Sequence, residues 1–215
     1  RWKSLGSGLD GIGYSLTVYS GNLIVGGQFF NAGGVPVGNI ASWNGTTWSA
    51  LGTGLNAACR SLAVYGGELI AGGAFGFAGG NPADFIAKWN GATWSALGTG
   101  LDGDVNGLTV FGSDLVAVGR FDFAGALPVN RVARWNGTTW FALGSGTNGE
   151  GRAAIQFGSD LIIGGTFSTA GGNPIAKIAR WNGAAWSGLG SGIGGEVYAL
   201  ANHGGNLIVG GLFLT

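Results

Sequence analysis

Charged and sulfur-containing residues are scarce in this chain. Its 215 residues include ten basic and ten acidic side chains, one cysteine, one histidine and no methionine. Because acidic and basic residues balance, the sequence offers no electrostatic attraction for nucleic acid or for an anionic membrane surface. Because Cys59 is the sole cysteine, neither an intramolecular disulfide nor a cysteine-rich metal site can form. The apolar runs are too short to span a bilayer, so we expect neither nucleic-acid binding nor membrane insertion.

Glycine and tryptophan, by contrast, are abundant and regularly spaced. The chain has 48 glycines, and 46% of its residues are hydrophobic, which predicts an ordered chain with many tight turns. Every tryptophan falls on one of two series with a period of 46 residues, and the prolines keep the same interval. Such a fixed period indicates a repeat architecture. The three series are Trp2, Trp48, Trp94, Trp140 and Trp186; Trp43, Trp89, Trp135 and Trp181; and Pro36, Pro82, Pro128 and Pro174.

Each repeat predicts four short antiparallel strands. In the repeat at 57–102 we expect them at 60–65, 68–75, 85–89 and 93–97. The tight turns Gly66-Gly67 and Asn90-Gly91 join them in pairs, and both dipeptides are typical of β-hairpins. Four such strands in a unit of this length are typical of a propeller blade. A right-handed β-solenoid is the alternative, but its parallel rungs would not need Asn-Gly hairpins.

Three features of the sequence are expected to serve packing. The glycine pair at the end of the second strand, Gly72-Gly73 in this repeat, predicts a close approach of two backbones. The paired tryptophans are expected to fill the space between neighbouring blades. Cys59 replaces small or apolar residues of the other repeats, so we expect it to be a buried small residue.

The order of these residues resembles kelch repeats, as found in the central propeller of galactose-oxidase-like proteins. In the second repeat the matching residues are Leu69-Ile-Ala-Gly-Gly73, Trp89, where kelch repeats usually have Tyr, Trp94 and Leu97. The whole chain is also similar to Gly-rich bacterial surface propellers and to the extracellular repeats of fungal cortical polarity markers. The resemblance implies a β-propeller and says little about activity, because propellers host many functions.

The sequence therefore predicts an all-β fold, with one β-propeller domain over residues 1–215. The expected repeats are 11–56, 57–102, 103–148, 149–194 and 195–215, with 1–10 as a closing strand. Residues 1–5 would complete the last blade, which favours a five-bladed ring with one incomplete blade. The alternative is an array that continues into more blades. In both cases we expect the free edge of the incomplete blade to be covered, because unpaired backbone groups are costly.

Candidate binding residues are those that depart from the repeat, since residues shared by every repeat serve the fold. On the loops expected at one face, the departures form a modest patch of mixed charge. They are Asp84, Asp102, Asp104, Arg131, Glu150 and Arg152. The segment 102–107 resembles part of a calcium loop, but the distal Glu of such a loop is absent, so a polar turn between repeats is the simpler interpretation.

No catalytic residue, metal site or cofactor site is predicted. His203 replaces an aromatic residue at a strand end, and one histidine supplies neither a Ser-His-Asp arrangement nor a metal ligand set. We expect a non-enzymatic, extracellular or cell-surface module that is structural or binds protein, including copies of itself. A lectin-like propeller with one shallow carbohydrate site per blade is the alternative, although its loop positions vary. A hydrolase or oxidase is more distant, since it would need a deep pocket with clustered acids or a metal. The varying loop positions are Asn31, Phe77, Phe123 and Thr169.

Overall fold

The computed structural model describes residues 3–213, which form β-strands, turns and loops. Within this range there is no helix, and hence none that could cross a membrane. The chain divides into two compact units, one ending at Gly100 and the other beginning at Leu101. The predicted strand at the N-terminus is not formed over residues 3–5, and its first two residues lie outside the described range.

Unit 1 contains two four-stranded antiparallel sheets, one in each of its repeats. In repeat 1, strands β1 to β6 are Ile12–Tyr19, Asn22–Gln28, Asn31–Ala32, Val35–Pro36, Ile40–Trp43 and Trp48–Ala50. In repeat 2, strands β7 to β12 are Cys59–Tyr65, Glu68–Gly73, Phe77–Ala78, Asn81–Pro82, Ile86–Trp89 and Trp94–Ala96. The sheet orders are β1-β2-β5-β6 and β7-β8-β11-β12, while β3 pairs with β4 and β9 with β10.

Unit 2 repeats this arrangement twice and adds one hairpin. In repeat 3, strands β13 to β18 are Val105–Phe111, Asp114–Gly119, Phe123–Ala124, Leu127–Pro128, Val132–Trp135 and Trp140–Ala142. In repeat 4, strands β19 to β24 are Gly151–Phe157, Asp160–Gly165, Thr169–Ala170, Asn173–Pro174, Ile178–Trp181 and Trp186–Gly188. In repeat 5 the hairpin of β25 and β26 is Glu196–His203 and Asn206–Leu212. The four-stranded sheets follow the order of unit 1.

The four predicted strands of the repeat are therefore confirmed, with ends that agree within two residues. The sequence did not predict the short hairpin of β9 and β10, which lies in the segment expected to be a loop. The second strand also ends earlier than expected, at Gly73, so that Phe75 lies beyond it and is completely buried. Phe29, Phe121 and Phe167 occupy the same position in their repeats and are buried as well.

The two hairpin turns of a repeat differ in their chemistry. Tyr65 pairs with Glu68, so the Gly66-Gly67 turn has two residues, with φ of +58° and +79°, a region that glycine adopts without strain. Trp89 pairs with Trp94, so the Asn-Gly hairpin is confirmed but its loop has four residues. The Asn90 side-chain oxygen accepts hydrogen bonds from the backbone amides of residues 92 and 93, both at 2.9 Å. This side chain holds the loop in place of a tighter turn.

The tryptophans lie at the boundary between neighbouring repeats, as predicted. Trp89 and Trp94 of repeat 2 pack with ring centroids 5.3 Å apart. The indole nitrogen of Trp94 donates to the carbonyl of Leu51 in repeat 1 at 2.8 Å, and Trp186 bonds Leu143 in the same way. Trp94 and Trp186 thus fill apolar space with their rings, and each satisfies a strand-end carbonyl of the preceding repeat.

Neighbouring repeats also fit together through glycines. Within repeat 2 itself, a side chain on Gly73 would collide with the backbone carbonyl of Ala58, which confirms the predicted close approach of two backbones. At the preceding position, a β-carbon on Gly26 would lie 2.5 Å from the Cys59 sulfur of the next repeat. Between repeats 3 and 4 the earlier repeat contributes the larger residue, Val118, and the later repeat contributes Gly151. A β-carbon added to Gly151 would lie 2.7 Å from the β-carbon of Val118. Each of these contacts combines one glycine with one larger residue.

Candidate functional site

A row of polar side chains crosses the first strands of the three repeats in unit 2. Strands β13, β19 and β25 lie side by side, and each has a β-bulge near its start. A bulge leaves one residue unpaired and redirects its side chain. The bulged residues are Asn106, Arg152 and Tyr198.

Glu150 and Glu196 join this row into one network. Glu150 accepts a hydrogen bond from the Asn106 amide at 2.8 Å and pairs with Arg152 at 3.3 Å. Arg152 also pairs with Glu196 at 3.0 Å and lies over the Tyr198 ring, 4.5 Å from its centroid. The Tyr198 hydroxyl donates to Glu196 at 3.0 Å. Together these contacts tie three consecutive repeats to one another.

The charges of this network favour a binding role, or a structural role that links the repeats, over proton transfer. Burial disfavours the charge of Arg152, but the hydrogen bond with Tyr198 and the negative charges of Glu150 and Glu196 outweigh it, so the pKa of Arg152 is raised. A guanidinium with a raised pKa stays charged at every physiological pH. Arg120 reaches Glu150 from the solvent side at 3.0 Å, so this carboxylate already has cationic partners on two sides.

The other predicted site residues are distributed differently. Asp102 accepts hydrogen bonds from the amides of Asp122 and Phe123, both at 2.8 Å, and Asn56 accepts them in the same way from the amides of Gly76 and Phe77 in the next repeat. Asp102 therefore holds a turn between repeats, as the simpler interpretation of the calcium-like segment expected. Nowhere in the described range do three or more His, Cys, Asp or Glu side chains group to hold a metal ion.

Arg131, Asp104 and Asp84 complete the predicted set. Arg131 pairs with Asp122 at 3.1 Å and donates to the carbonyl of Thr147 at 3.1 Å. The backbone carbonyl of Asp104 accepts a hydrogen bond from the Arg120 amide at 2.8 Å. Asp84 belongs to unit 1, where it has a φ of +35°. Within the predicted patch, the structure thus joins Glu150 and Arg152 directly, whereas Asp102 and Arg131 contact residues outside the predicted set.

Cys59 and His203 do not belong to a site in their units. Cys59 is completely buried, as predicted, and burial raises the pKa of its thiol to about 12. A thiol with this pKa remains protonated and unreactive at neutral pH. His203 is exposed at the end of β25, where it stands in the place of the aromatic residues of the other first strands.

Unit 1 contains an open cleft that the sequence did not predict. Its volume is about 300 Å³, and it lies beside the turn between β1 and β2, against the next repeat. It is lined by Tyr19 and Asn22 from the β1–β2 hairpin, by Ser42 on β5 and Ser49 on β6, and by Trp89 from repeat 2. The signal that could have revealed it is a neutral pair, Asn22 and Ser42, at positions that are oppositely charged in repeats 2, 3 and 4.

Comparisons with known proteins show a similarity of fold and no family. No protein-family model matches the chain, and no curated protein matches it. The crystal structure of the computationally designed Ika4 protein is similar, with a TM-score of 0.52 and 13% identity, over 84% of this chain and 98% of that chain. The crystal structure of the computationally designed Ika8 protein has a TM-score of 0.53 and 14% identity, over 95% of this chain and 70% of that chain. At this identity the similarity extends to the fold alone.

Proposed function

We propose that this chain is a β-propeller-like module, built of blade-like repeats, that acts outside the cell as a structural and protein-interaction element and catalyses no reaction. The propeller assignment is supported by the four-stranded antiparallel sheets, one per repeat, whose first strands lie side by side within each unit. The sparse charge and the abundance of small neutral residues are compatible with an extracellular surface. The polar network around Glu150 supports a structural role in which it links neighbouring repeats, because its members are paired with one another.

One observation supports the interaction role above all, namely the exposed apolar face of β1. Leu16 is 66% exposed, whereas Leu62, at the same position of the next repeat, is 8% exposed because repeat 1 covers it. Val18, two residues further along the strand, continues this face and is 65% exposed. Contiguous apolar surface of this kind marks an interaction site.

The occupant that we propose for this face is the β25–β26 hairpin of a second copy. Ile208 in that hairpin is 49% exposed, whereas Ile162, its equivalent in repeat 4, is 1% exposed under repeat 5. The two exposed faces therefore correspond to the two sides of the contact that already joins neighbouring repeats. A head-to-tail association of copies would continue that contact.

The glycines predict how well the two faces would fit. Contacts between repeats combine one glycine with one larger residue, as Gly164 does with Val197. The corresponding positions of the proposed contact are Gly13 and Gly210, so both sides are glycine and a space of about one valine side chain remains. We therefore expect a weak association, with a Kd of about 10 µM.

Light scattering and sedimentation over a range of concentrations test this proposal. We expect the mass to rise with concentration, and Leu16→Asp to abolish the rise. Gly13→Val supplies the missing side chain and should tighten the association about tenfold, since one buried valine contributes about 1.5 kcal/mol. Val35→Asp, on the exposed strand β4, is the matched control and should change nothing. A mass of one chain at all concentrations, in the parent and in Gly13→Val, would refute the proposed self-association.

A further inference from the structure

We propose that the cleft of repeat 1 is a binding site for a neutral saccharide. This site lies apart from the apolar face of β1 and goes beyond the interaction role proposed above. It also differs from the loop positions at which a lectin site was expected. Repeat 1 lacks at this place an ion pair that the other complete repeats contain, and the residues that line its cleft are neutral.

The other complete repeats place an ion pair where repeat 1 has the cleft. In each of them an acidic residue at the start of the second strand pairs with a basic residue on the third strand. In repeat 1 the same positions are Asn22 and Ser42, and both are neutral. Ser42 is much shorter than the lysine or arginine of the other repeats, and the space beside it is part of the cleft. The three pairs are Glu68–Lys88 at 2.9 Å, Asp114–Arg134 at 3.2 Å and Asp160–Arg180 at 3.6 Å.

The cleft presents polar groups that have no partner in the protein. Ser42 is 7% exposed, lies between Ile24 and Ser49 across the sheet, and lines the cleft. Neither its hydroxyl nor the side chains of Ser49 and Asn22 form a hydrogen bond to another residue within 3–213. Because the cleft is open, with Ser49 exposed and Asn22 half-buried, solvent reaches these groups, and a ligand with several hydroxyl groups can take the place of that water.

The lining chemistry selects the class of ligand. Serine hydroxyls and an asparagine amide both donate and accept hydrogen bonds, as the hydroxyl groups of a sugar do. Tyr19 and Trp89 add aromatic surface, against which the C–H face of a sugar ring can pack. No charged residue lines the cleft, so a charged ligand would lose hydration and gain no ion pair. A neutral saccharide satisfies all three conditions.

The size of the cleft sets the expected affinity. A volume of about 300 Å³ is at the lower end for ligand sites, which accommodates one sugar residue with a second projecting into solvent. For so few ligand atoms we expect a Kd of about 1 mM. Such an affinity is typical of a site that depends on several weak contacts or on several copies of the module.

Saturation-transfer NMR and chemical-shift titration of the full chain test the site. The probes are glucose, galactose, mannose, N-acetylglucosamine and their β-linked disaccharides, with glucuronate and glucosamine as charged analogues. We expect at least one neutral sugar to bind, with transfer to one face of its ring and shifts at the Trp89 and Tyr19 resonances. The charged analogue of that sugar should bind at least fivefold more weakly.

The matched variant rebuilds in repeat 1 the ion pair of repeat 2. Asn22→Glu combined with Ser42→Lys should fold as the parent does, because three repeats already contain such a pair. We expect it to weaken saccharide binding at least tenfold while its unfolding transition is retained. Ser95→Ala, at the equivalent of Ser49 in repeat 2, should leave binding unchanged.

Two results would overturn the proposal. One is that no neutral saccharide binds at concentrations up to about 50 mM, far above the expected Kd. The other is that a saccharide binds equally well to the Asn22→Glu, Ser42→Lys variant, which would place it elsewhere on the chain. Leu16→Asp separates this site from the proposed self-association, since it should abolish the latter and leave sugar binding as it was.

Discussion

The exchange of glycine and valine between repeats 3 and 4 makes a quantitative prediction. Val118 is completely buried, and the β-carbon of a side chain at Gly151 would lie 2.7 Å from its own. Between repeats 4 and 5 the same contact is reversed, with Gly164 facing Val197. If the contact requires one larger residue and tolerates either side, then Val118→Gly and Gly151→Val should compensate each other.

The single variants should both be destabilising, for opposite reasons. Val118→Gly removes a buried side chain and adds backbone freedom, for a loss of about 3 kcal/mol in the free energy of unfolding. Gly151→Val forces two β-carbons into one space, for a loss of about 2 kcal/mol. Independent effects would sum to about 5 kcal/mol, and we expect about 2 kcal/mol for the double variant, a coupling of about 3 kcal/mol.

The remaining loss has a structural origin that can also be tested. Gly107 lies against Val118 as well, since its added β-carbon would be 2.8 Å from a Val118 methyl group. In repeat 4 the position of Gly107 is Ala153, so adding Gly107→Ala to the double variant should recover about 1 kcal/mol more. Equilibrium unfolding in urea, followed by tryptophan fluorescence and circular dichroism, measures each value. Effects that add to within about 0.5 kcal/mol would refute the exchange.

Two further predictions concern polar contacts. The pKa of Asp10 is lowered by hydrogen bonds from the backbone and side chain of Asn31 and from the Phe30 amide. Its contribution to stability is therefore complete above the ordinary aspartate pKa of about 3.9 and is lost as the pH falls below it. Asp10→Asn should keep the stability at pH 7, since Asn56 forms the equivalent hydrogen bonds to repeat 2, and should reduce the loss of stability between about pH 4 and 2, measured by urea unfolding at each pH. An equal loss of stability in the variant and the parent over this pH range would contradict the prediction. Arg152→Ala should lower the free energy of unfolding by about 1–2 kcal/mol, because Glu150 and Glu196 lose a shared partner. Arg120 is exposed to solvent, so Arg120→Ala should lower it by only about 0.5 kcal/mol. Equal losses for the two variants would show that the network does not depend on Arg152.

The strands of this protein could be predicted from its sequence because the repeat supplies the same pattern several times. The period located the hairpins, and glycine chemistry located the turns. The Asn-Gly loop was predicted as a hairpin but not at its real length, because the Asn90 side chain replaces backbone turn contacts. The short hairpin of β9 and β10 was missed, since two residues per strand leave no periodicity to detect.

The candidate site was predicted less completely, because a search for residues that depart from the repeat treats each position by itself. Glu150 and Arg152 were found in this way, and they are joined in the structure. Asp102 was also selected, although it performs the same task as Asn56 with a different side chain. The cleft was missed because Asn22 and Ser42 are unremarkable singly and informative only as a pair, once the registers place them on neighbouring strands.

The departures from the repeat therefore fall into two kinds, and the difference bears on function. When Val118 replaced a glycine, its partner Gly151 became small, so the contact was kept. When the ion pair was replaced in repeat 1, the short side chain of Ser42 left a cleft lined by neutral polar groups. A paired change preserves the packing of the fold, whereas a paired loss lowers stability unless something else occupies the position. By this criterion we propose a ligand for the cleft of repeat 1 rather than for the charged loops, since it would take the place that an ion pair holds in the other complete repeats.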